Sequence, residues 1–260
     1  MPLYKSLVSN KMVKSEILAK HPLLKSFSPH YCPYTLEDLK EFLTRFPFVF
    51  CKPCRSSQGK GVFSILKKQE GLYTLNYRHL TYVGLSFEAL SKLAAVIINE
   101  SPYIIQQGIV TPQFKGNVFD IRIIVQRPKE KWEVTGIAAR VAKDNFLTTN
   151  ISAGGKGYAL ETVLEELGAT PKVQSSIKEI LVFISLEAMN AMEHHFPHLC
   201  QIGVDVALDN QFRPWILEIN SAPKFEVFTH FDMDLYKQIA RNHIKSKKRK
   251  LTFNSPFAHL

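Results

Sequence analysis

Asp205, Glu218 and Asn220 form a set of side chains whose types and spacing could do chemistry. In an antiparallel hairpin the numbers of paired residues sum to a constant, so setting Asp205 opposite Glu218 centres the turn near residue 211. Asp209-Asn210-Gln211 supplies residues that favour a turn there. Residues two apart on a strand share a face, so Glu218 and Asn220 project together beside Asp205, while Leu217 and Ile219 face the other way. Two carboxylates and an amide are hard oxygen donors suited to Mg2+, which leaves its other positions to water and phosphate. The same spacing also fits an ordinary polar strand face turned to water.

A second set is basic. Lys52 closes the apolar run Phe48-Val49-Phe50-Cys51, and Pro53-Cys54-Arg55-Ser56-Ser57-Gln58-Gly59-Lys60-Gly61 follows. A lysine at a strand end reaches phosphate as a point charge, and Gly59 and Gly61 let backbone N–H groups approach closely. The G-x-x-x-x-G-K-[ST] order of a P-loop is absent, and a strand rather than a helix comes next. Alone, the Gly-x-Gly also fits a plain turn. A third set is Asp120-Ile121-Arg122 with Arg140. A turn centred on residue 131 puts Arg122 roughly opposite Arg140. Facing arginines repel unless an anion lies between them, and Asp120 can satisfy only one, so a γ-phosphate or carboxylate site is expected. A salt-bridged outer sheet face is the alternative. Asn150 begins a segment through Gly154, Gly155 and Gly157 that could close over such a site.

These residues need elements to hold them. An amphipathic helix is expected over 12–24, and a second begins after Thr35, an N-cap with Asp38 three residues on, and ends before Pro47. Strands are expected at 48–50, 62–66, 72–75 and 103–107, with helical periodicity between the last two over 86–99. A long antiparallel pair follows at 118–126 and 132–141, then a long helix over 171–196, the hairpin of 202–208 and 215–220, and a C-terminal helix.

The 260 residues are 45% hydrophobic and 22% charged, enough apolar material to exclude disorder of the whole chain. No apolar run reaches the ~20 residues that span a bilayer, and charges interrupt the N-terminus where a signal peptide needs its apolar segment; a cytoplasmic location is expected. Thirty-three Lys and Arg against 23 Asp and Glu give +10, which favours an anionic partner. Lys245, Lys247, Lys248, Arg249 and Lys250 supply five of those charges; they read as a solvated helix end, and nucleic acid is not expected. Cys32, Cys51, Cys54 and Cys200 are too scattered for a disulfide framework. Cys51-x-x-Cys54 lacks a second pair at the tight spacing a structural zinc site uses, although His194, His195, His198 and Cys200 lie downstream.

The ordered set Val49-Phe50-Cys51-Lys52-Pro53, Gln58-Gly59-Lys60-Gly61-Val62, Ile104-Ile105-Gln106-Gln107, Asp120-Ile121-Arg122, Arg140, Asn150 with Gly154-Gly155, Gly203-Val204-Asp205 and Leu217-Glu218-Ile219-Asn220-Ser221-Ala222-Pro223 resembles the ATP-grasp superfamily, most closely its YheC/YheD family of endospore coat-associated proteins. The resemblance runs from about Asn10 to Asp234. It implies an α+β ATP-grasp fold of two α+β subdomains with ATP between them. The expected division is an N-terminal helical segment (1–44), a small lid subdomain (45–108), a core subdomain (109–240) and a basic tail (241–260). Lys52 and the early lysine Lys11 would contact ATP, Ser57, Gln58, Gly59 and Gly61 would form the lid over its phosphates, and Gln106, Gln107 and Ile109 would lie at the adenine hinge. Many relatives have Glu near Gln107. Asp205, Glu218 and Asn220 would hold Mg2+, and Arg122, Arg140 and Asn150 would face the γ-phosphate and acyl phosphate.

The implied chemistry is carboxylate attack on the γ-phosphate, giving an acyl phosphate and ADP, then capture by an amine or related nucleophile. The alternative is a spore-associated structural protein that binds nucleotide without turnover. About 45 residues precede the strand bearing Lys52, fewer than the separate substrate-binding domain of many such ligases, so substrate selection is expected to rest on a partner protein or spore coat component or on a shallow open surface.

Overall fold

The computed structural model describes residues 7–56, 58–69, 71–143, 149, 151 and 154–253, without the side chains of 248–253. Two antiparallel sheets carry the fold. The first runs in the order β1-β6-β2-β3-β4-β5, with β1 Tyr31–Pro33, β2 Phe48–Pro53, β3 Phe63–Gln69, β4 Leu72–Tyr77, β5 Leu80–Leu85 and β6 Tyr103–Gln107. Helices α2 (Leu36–Arg45) and α3 (Phe87–Ile98) cover it, burying Leu39, Phe42, Leu43, Leu90 and Ala94 against Val49, Cys51, Phe63, Ile65, Leu75 and Ile105. Local sequence sets their ends: the Thr35 hydroxyl accepts from Asp38 N–H, the Ser86 hydroxyl accepts from Ala89 N–H, and Asn99 ends α3 in the left-handed region.

The second sheet runs β11-β10-β7-β8-β9, with β7 Phe119–Gln126, β8 Glu133–Val141, β9 Lys156–Tyr158, β10 Gln201–Leu208 and β11 Pro214–Asn220. Alternation divides its faces. Ile121, Ile123 and Val125 of β7 and Ile202, Val204, Val206 and Leu208 of β10 join a core with α4 (Leu160–Glu166), the long α5 (Pro171–His195), and Ile17 and Leu18 of α1 (Lys11–Lys20). On the other face Ile124 and Ala138 pack against Val227 and Phe228, in a 3-10 turn over Glu226–His230, and Ile239 of α6 (Met233–Phe253). Asp120, Arg122 and Asp205 share this second face by the same period of two.

Three sequence expectations need correction. The first helix stops at Lys20, and a 3-10 turn over Leu24–Phe27 takes up the rest. Leu80–Leu85 forms an additional edge strand. Arg140 pairs across from Asp120, and Arg122 from Ala138, so the two arginines are not opposite one another. A register irregularity between Ile124 and Val125 accompanies this pairing.

Candidate active site between the two sheets

Strand β11 lies at the edge of the second sheet, so its outer backbone groups have no strand partner. Asp205 pairs with Glu218, while Val206 pairs with Ile216, so a bulge leaves Leu217 unopposed and shifts the register that brings Glu218 across from Asp205. Two alternate carbonyls of this edge are then taken by side chains. Leu217 O accepts from Gln106 Nε2 at 3.3 Å, and Ile219 O accepts from Lys14 Nζ at 2.5 Å.

Gln106 comes from β6 of the other sheet, and its Oε1 accepts from Lys52 Nζ at 2.5 Å. Lys52 also lies 5.7 Å above the Phe50 ring. Phe50 pairs with Gln106 and Lys52 with Ile104, so one face of the β2–β6 pair presents these groups to the second sheet. Helix α1 closes the gap. Lys11 N–H donates to Cys54 O at 2.8 Å, and its Nζ donates to Ser56 O at 2.8 Å and lies 3.3 Å from Glu218 Oε1. The cleft thus gathers Lys11, Lys14, Lys52, Gln106, Leu217 and Glu218.

Three ammonium groups around the Glu218 carboxylate leave an excess of positive charge. Burial lowers the pKa of both Lys14 and Lys52 to about 8; neighbouring Lys11 lowers it further, and Glu218 and Asp205 pull the other way. An anionic ligand would supply the missing counter-charge.

Behind Glu218 lies a neutral cluster of four buried charges. Asp205 accepts from Arg122 Nε at 2.6 Å, Arg122 Nη2 at 3.0 Å, Arg140 Nη2 at 3.0 Å and Asn220 Nδ2 at 2.9 Å. Asp120 accepts from Arg140 Nε and Nη2 at 2.7 and 2.6 Å, and Arg122 Nη1 donates to Lys224 O at 3.0 Å. Burial raises the Asp205 carboxyl pKa, but the two guanidiniums outweigh it and hold it below the ordinary range. Burial likewise opposes the charge on Arg140, and Asp120 and Asp205 more than compensate. Asp205 serves the arginine that Asp120 cannot, so no external anion is needed to balance the pair, contrary to the expectation from sequence.

The amide nitrogen of Asn220 is committed to Asp205, which leaves Asn220 Oδ1 beside Glu218 as an oxygen donor. With a shared oxygen of Asp205, this set fits Mg2+ by donor chemistry. Among the described residues no three His, Cys, Asp or Glu side chains gather to hold a metal, so a cation here would rely on the amide and on phosphate or water.

The other residues singled out from the sequence are placed as follows. Gln58, Gly59 and Gly61 have φ of 60°, 70° and 77°. Tyr103 Oη donates to Gly61 O at 3.0 Å, and a Cβ on Gly61 would lie 2.7 Å from Pro53 Cγ. Gln107 turns away from the cleft, its Oε1 accepting from His30 N–H at 3.1 Å. Ile109 follows Gly108, whose N–H donates to Phe48 O at 3.0 Å. Ser57 and Asn150 lie outside the described residues. Sequence reasoning did not single out Lys14. Its signal was spacing: three residues after Lys11, it shares that residue's helix face.

Residues 1–248 match the family model described as YheC/D like ATP-grasp. The chain belongs to this ATP-grasp family. It is similar to the endospore coat-associated protein YheD of Bacillus subtilis, 26% identical over 238 residues that cover 88% of this chain and 51% of that protein. It is 23% identical to YheC of the same organism over 216 residues, 79% of this chain and 57% of that protein. The chain therefore spans about half the length of these curated relatives. Among solved structures, the ATP-grasp ligase PsnB, complexed with a variant of its minimal precursor, Mg and ADP, matches with a TM-score of 0.54 at 13% identity, covering 95% of this chain and 61% of that one. That likeness is one of fold, and the two sheets described above are those of an α+β ATP-grasp fold.

Proposed function

We propose that this ATP-grasp protein is an ATP- and Mg2+-dependent ligase that joins a carboxylate to an amine or related nucleophile through an acyl phosphate. One observation carries the reading: Lys11 of α1, Lys52 and Gln106 of the first sheet and Glu218 of the second converge on one cleft with an excess of positive charge. In this role Lys11 and Lys52 neutralise phosphate charge, the Gln106–Ile109 segment meets the base, and the Ser56–Gly61 loop excludes water. Glu218, Asn220 and Asp205 would hold Mg2+, which would neutralise charge developing on the phosphates. Arg122, Arg140 and Asn150 serve the γ-phosphate side. The carboxylate attacks the γ-phosphorus and ADP leaves; the amine then displaces phosphate from the acyl carbon.

The 1–44, 45–108, 109–240 and 241–260 divisions, a cytoplasmic location beside the forming spore, and a partner protein or coat component assisting substrate choice belong to this reading. The coat-associated relatives support the place. No helix among the described residues is long and apolar enough to cross a membrane.

A second reading, nucleotide binding without turnover, draws on the saturation of Arg122 and Arg140 by internal carboxylates. Thermal unfolding with and without Mg-ATP, beside Glu218→Gln and Lys52→Ala, tests what the two readings share. Binding at a hundredfold excess over Kd adds about 2.7 kcal/mol of stability. A metal-dependent rise lost in both variants supports the site, and ADP release with candidate carboxylates and amines then separates ligase from binder. A folded wild-type chain that shows no shift at saturating Mg-ATP overturns both.

A further inference from the structure

We infer that Lys14 is a positioning residue for the cation-binding edge of the cleft, anchoring the peptide between Ile219 and Asn220. The inference rests on the proposed roles of Glu218 and Asn220, and its physical basis is the edge position of β11. An edge strand has outward carbonyls that no neighbouring strand satisfies, and a buried carbonyl without a donor is costly. Ile219 is such a residue: its side chain is 1% exposed, and its carbonyl accepts from Lys14 Nζ.

Lys14 is itself only 5% exposed and is held on α1, whose Ile17 and Leu18 are locked into the core of the second sheet. The anchor is therefore rigid at both ends. Lys11, one turn earlier on the same face, ties α1 to Cys54 O and Ser56 O in the segment that follows β2 of the first sheet. Ile219 lies between Glu218 and Asn220, so a rotation of its peptide plane displaces both donors from Asp205. Loss of such a support typically costs 10- to 100-fold in metal affinity while sparing contacts made elsewhere, and about tenfold is expected here.

The test uses the full chain with Lys14→Met, which keeps the apolar stem and removes the donor, and Lys14→Arg, which keeps a donor. ADP binding is measured by calorimetry with Mg2+ and with EDTA, and amide hydrogen exchange over 216–220 is followed without ligand. Lys14→Met is expected to hold metal-free ADP within about threefold of wild type, to lose about tenfold of the Mg2+ enhancement, and to exchange faster over 216–220. Lys14→Arg should recover most of both.

An unchanged Mg2+ enhancement, or equal losses of affinity with and without Mg2+, overturns the positioning role. Unchanged exchange overturns the anchor itself. If wild type binds no ADP under either condition, the nucleotide reading fails, and the exchange measurement still decides whether Lys14 fixes the strand. Lys14→Gln replaces Lys14→Met should the latter not fold.

Discussion

Neutralising Asp205 should destabilise the ligand-free protein, because the buried cluster around it balances to zero charge. Asp120, Arg122, Arg140 and Asp205 are 9%, 6%, 6% and 7% exposed, so water screens little of their interaction. Asp205→Asn deletes one of two negative charges and leaves two guanidiniums facing an amide. Arg140 keeps its two bonds to Asp120, but Arg122 keeps only the Lys224 carbonyl at 3.0 Å among the contacts described above. Breaking one side of a buried ion pair costs about 3–5 kcal/mol, while removing both charges recovers much of that. At about 2–4 °C per kcal/mol for a chain of this size, Asp205→Asn should lower the Tm by roughly 6–20 °C. The double variant Asp205→Asn/Arg122→Met should regain a large part. Urea unfolding at pH 7 without metal or nucleotide measures the cycle. If Asp205 served only a bound cation, neutralising it would leave ligand-free stability unchanged or raise it. A loss under 1 kcal/mol, or a double variant less stable than the single one, would refute the reasoning. Because the Asp205 pKa is held low, its contribution is present above the unfolded carboxyl pKa of about 4 and is lost as pH falls through the folded value.

Two further outcomes follow from the geometry. Lys14 and Lys52 have pKa values lowered to about 8, so the unfolded chain holds protons that the native one has lost between about 8 and the ordinary lysine value of about 10.4; stability supplied by these groups therefore rises with pH across that window. A polyphosphate beside Lys52 restores its charge, so nucleotide binding at pH 8.5 should take up protons and weaken as pH rises further; calorimetry in buffers of different ionisation enthalpy checks this, and proton release would contradict it. Gly157→Ala places a Cβ 2.3 Å from Val227 O, a backbone atom that cannot swing aside, and should cost about 1–3 kcal/mol in denaturant unfolding. It also strains the 2.9 Å bond from Gly157 N–H to His230 Nδ1, so faster exchange at that amide should accompany the loss.

Much of the fold was legible because its signals are local. The Thr35 cap, the helical period over 86–99, the strand runs of β7 and β10, and the 3.6-residue period of α5 each depend on neighbours within a few positions. The Asp205–Glu218 pairing was only partly legible: the turn near residue 211 fixes the pairs from Val206–Ile216 to Leu208–Pro214, and the bulge after Asp205 shifts the register by one to bring Glu218 opposite it. The Arg122–Arg140 register was not legible, since residues 127–132 can turn in more than one way and the irregularity at Ile124/Val125 has no marker in residue type. A two-residue difference there exchanges an arginine for an aspartate across from Arg140. The charge balance of the site changes with it, from a pair awaiting an anion to a cluster already neutral.

The same limit explains why Lys14 escaped a reading of residue types and why the contacts of Gln106, named at the hinge by resemblance, did not follow from its type. Each acts because β11 is an edge strand whose bulge at Leu217 turns carbonyls toward the cleft. In a central strand those carbonyls would be spent on a neighbour, and a lysine or glutamine beside them would find no acceptor. The site therefore uses the unfinished edge of one sheet as its backbone wall, with the side chains of α1 and β6 completing the hydrogen bonds that a further strand would have made. Gln106 differs from Lys14 in being able to leave. Its two bonds join groups on opposite sides of the cleft, Lys52 and Leu217 O, and under the proposed nucleotide reading a base entering between the sheets would take over both the donor and the acceptor. Lys14 has no such exchange partner, because its acceptor is the backbone carbonyl between Glu218 and Asn220, the residues proposed to bind the cation.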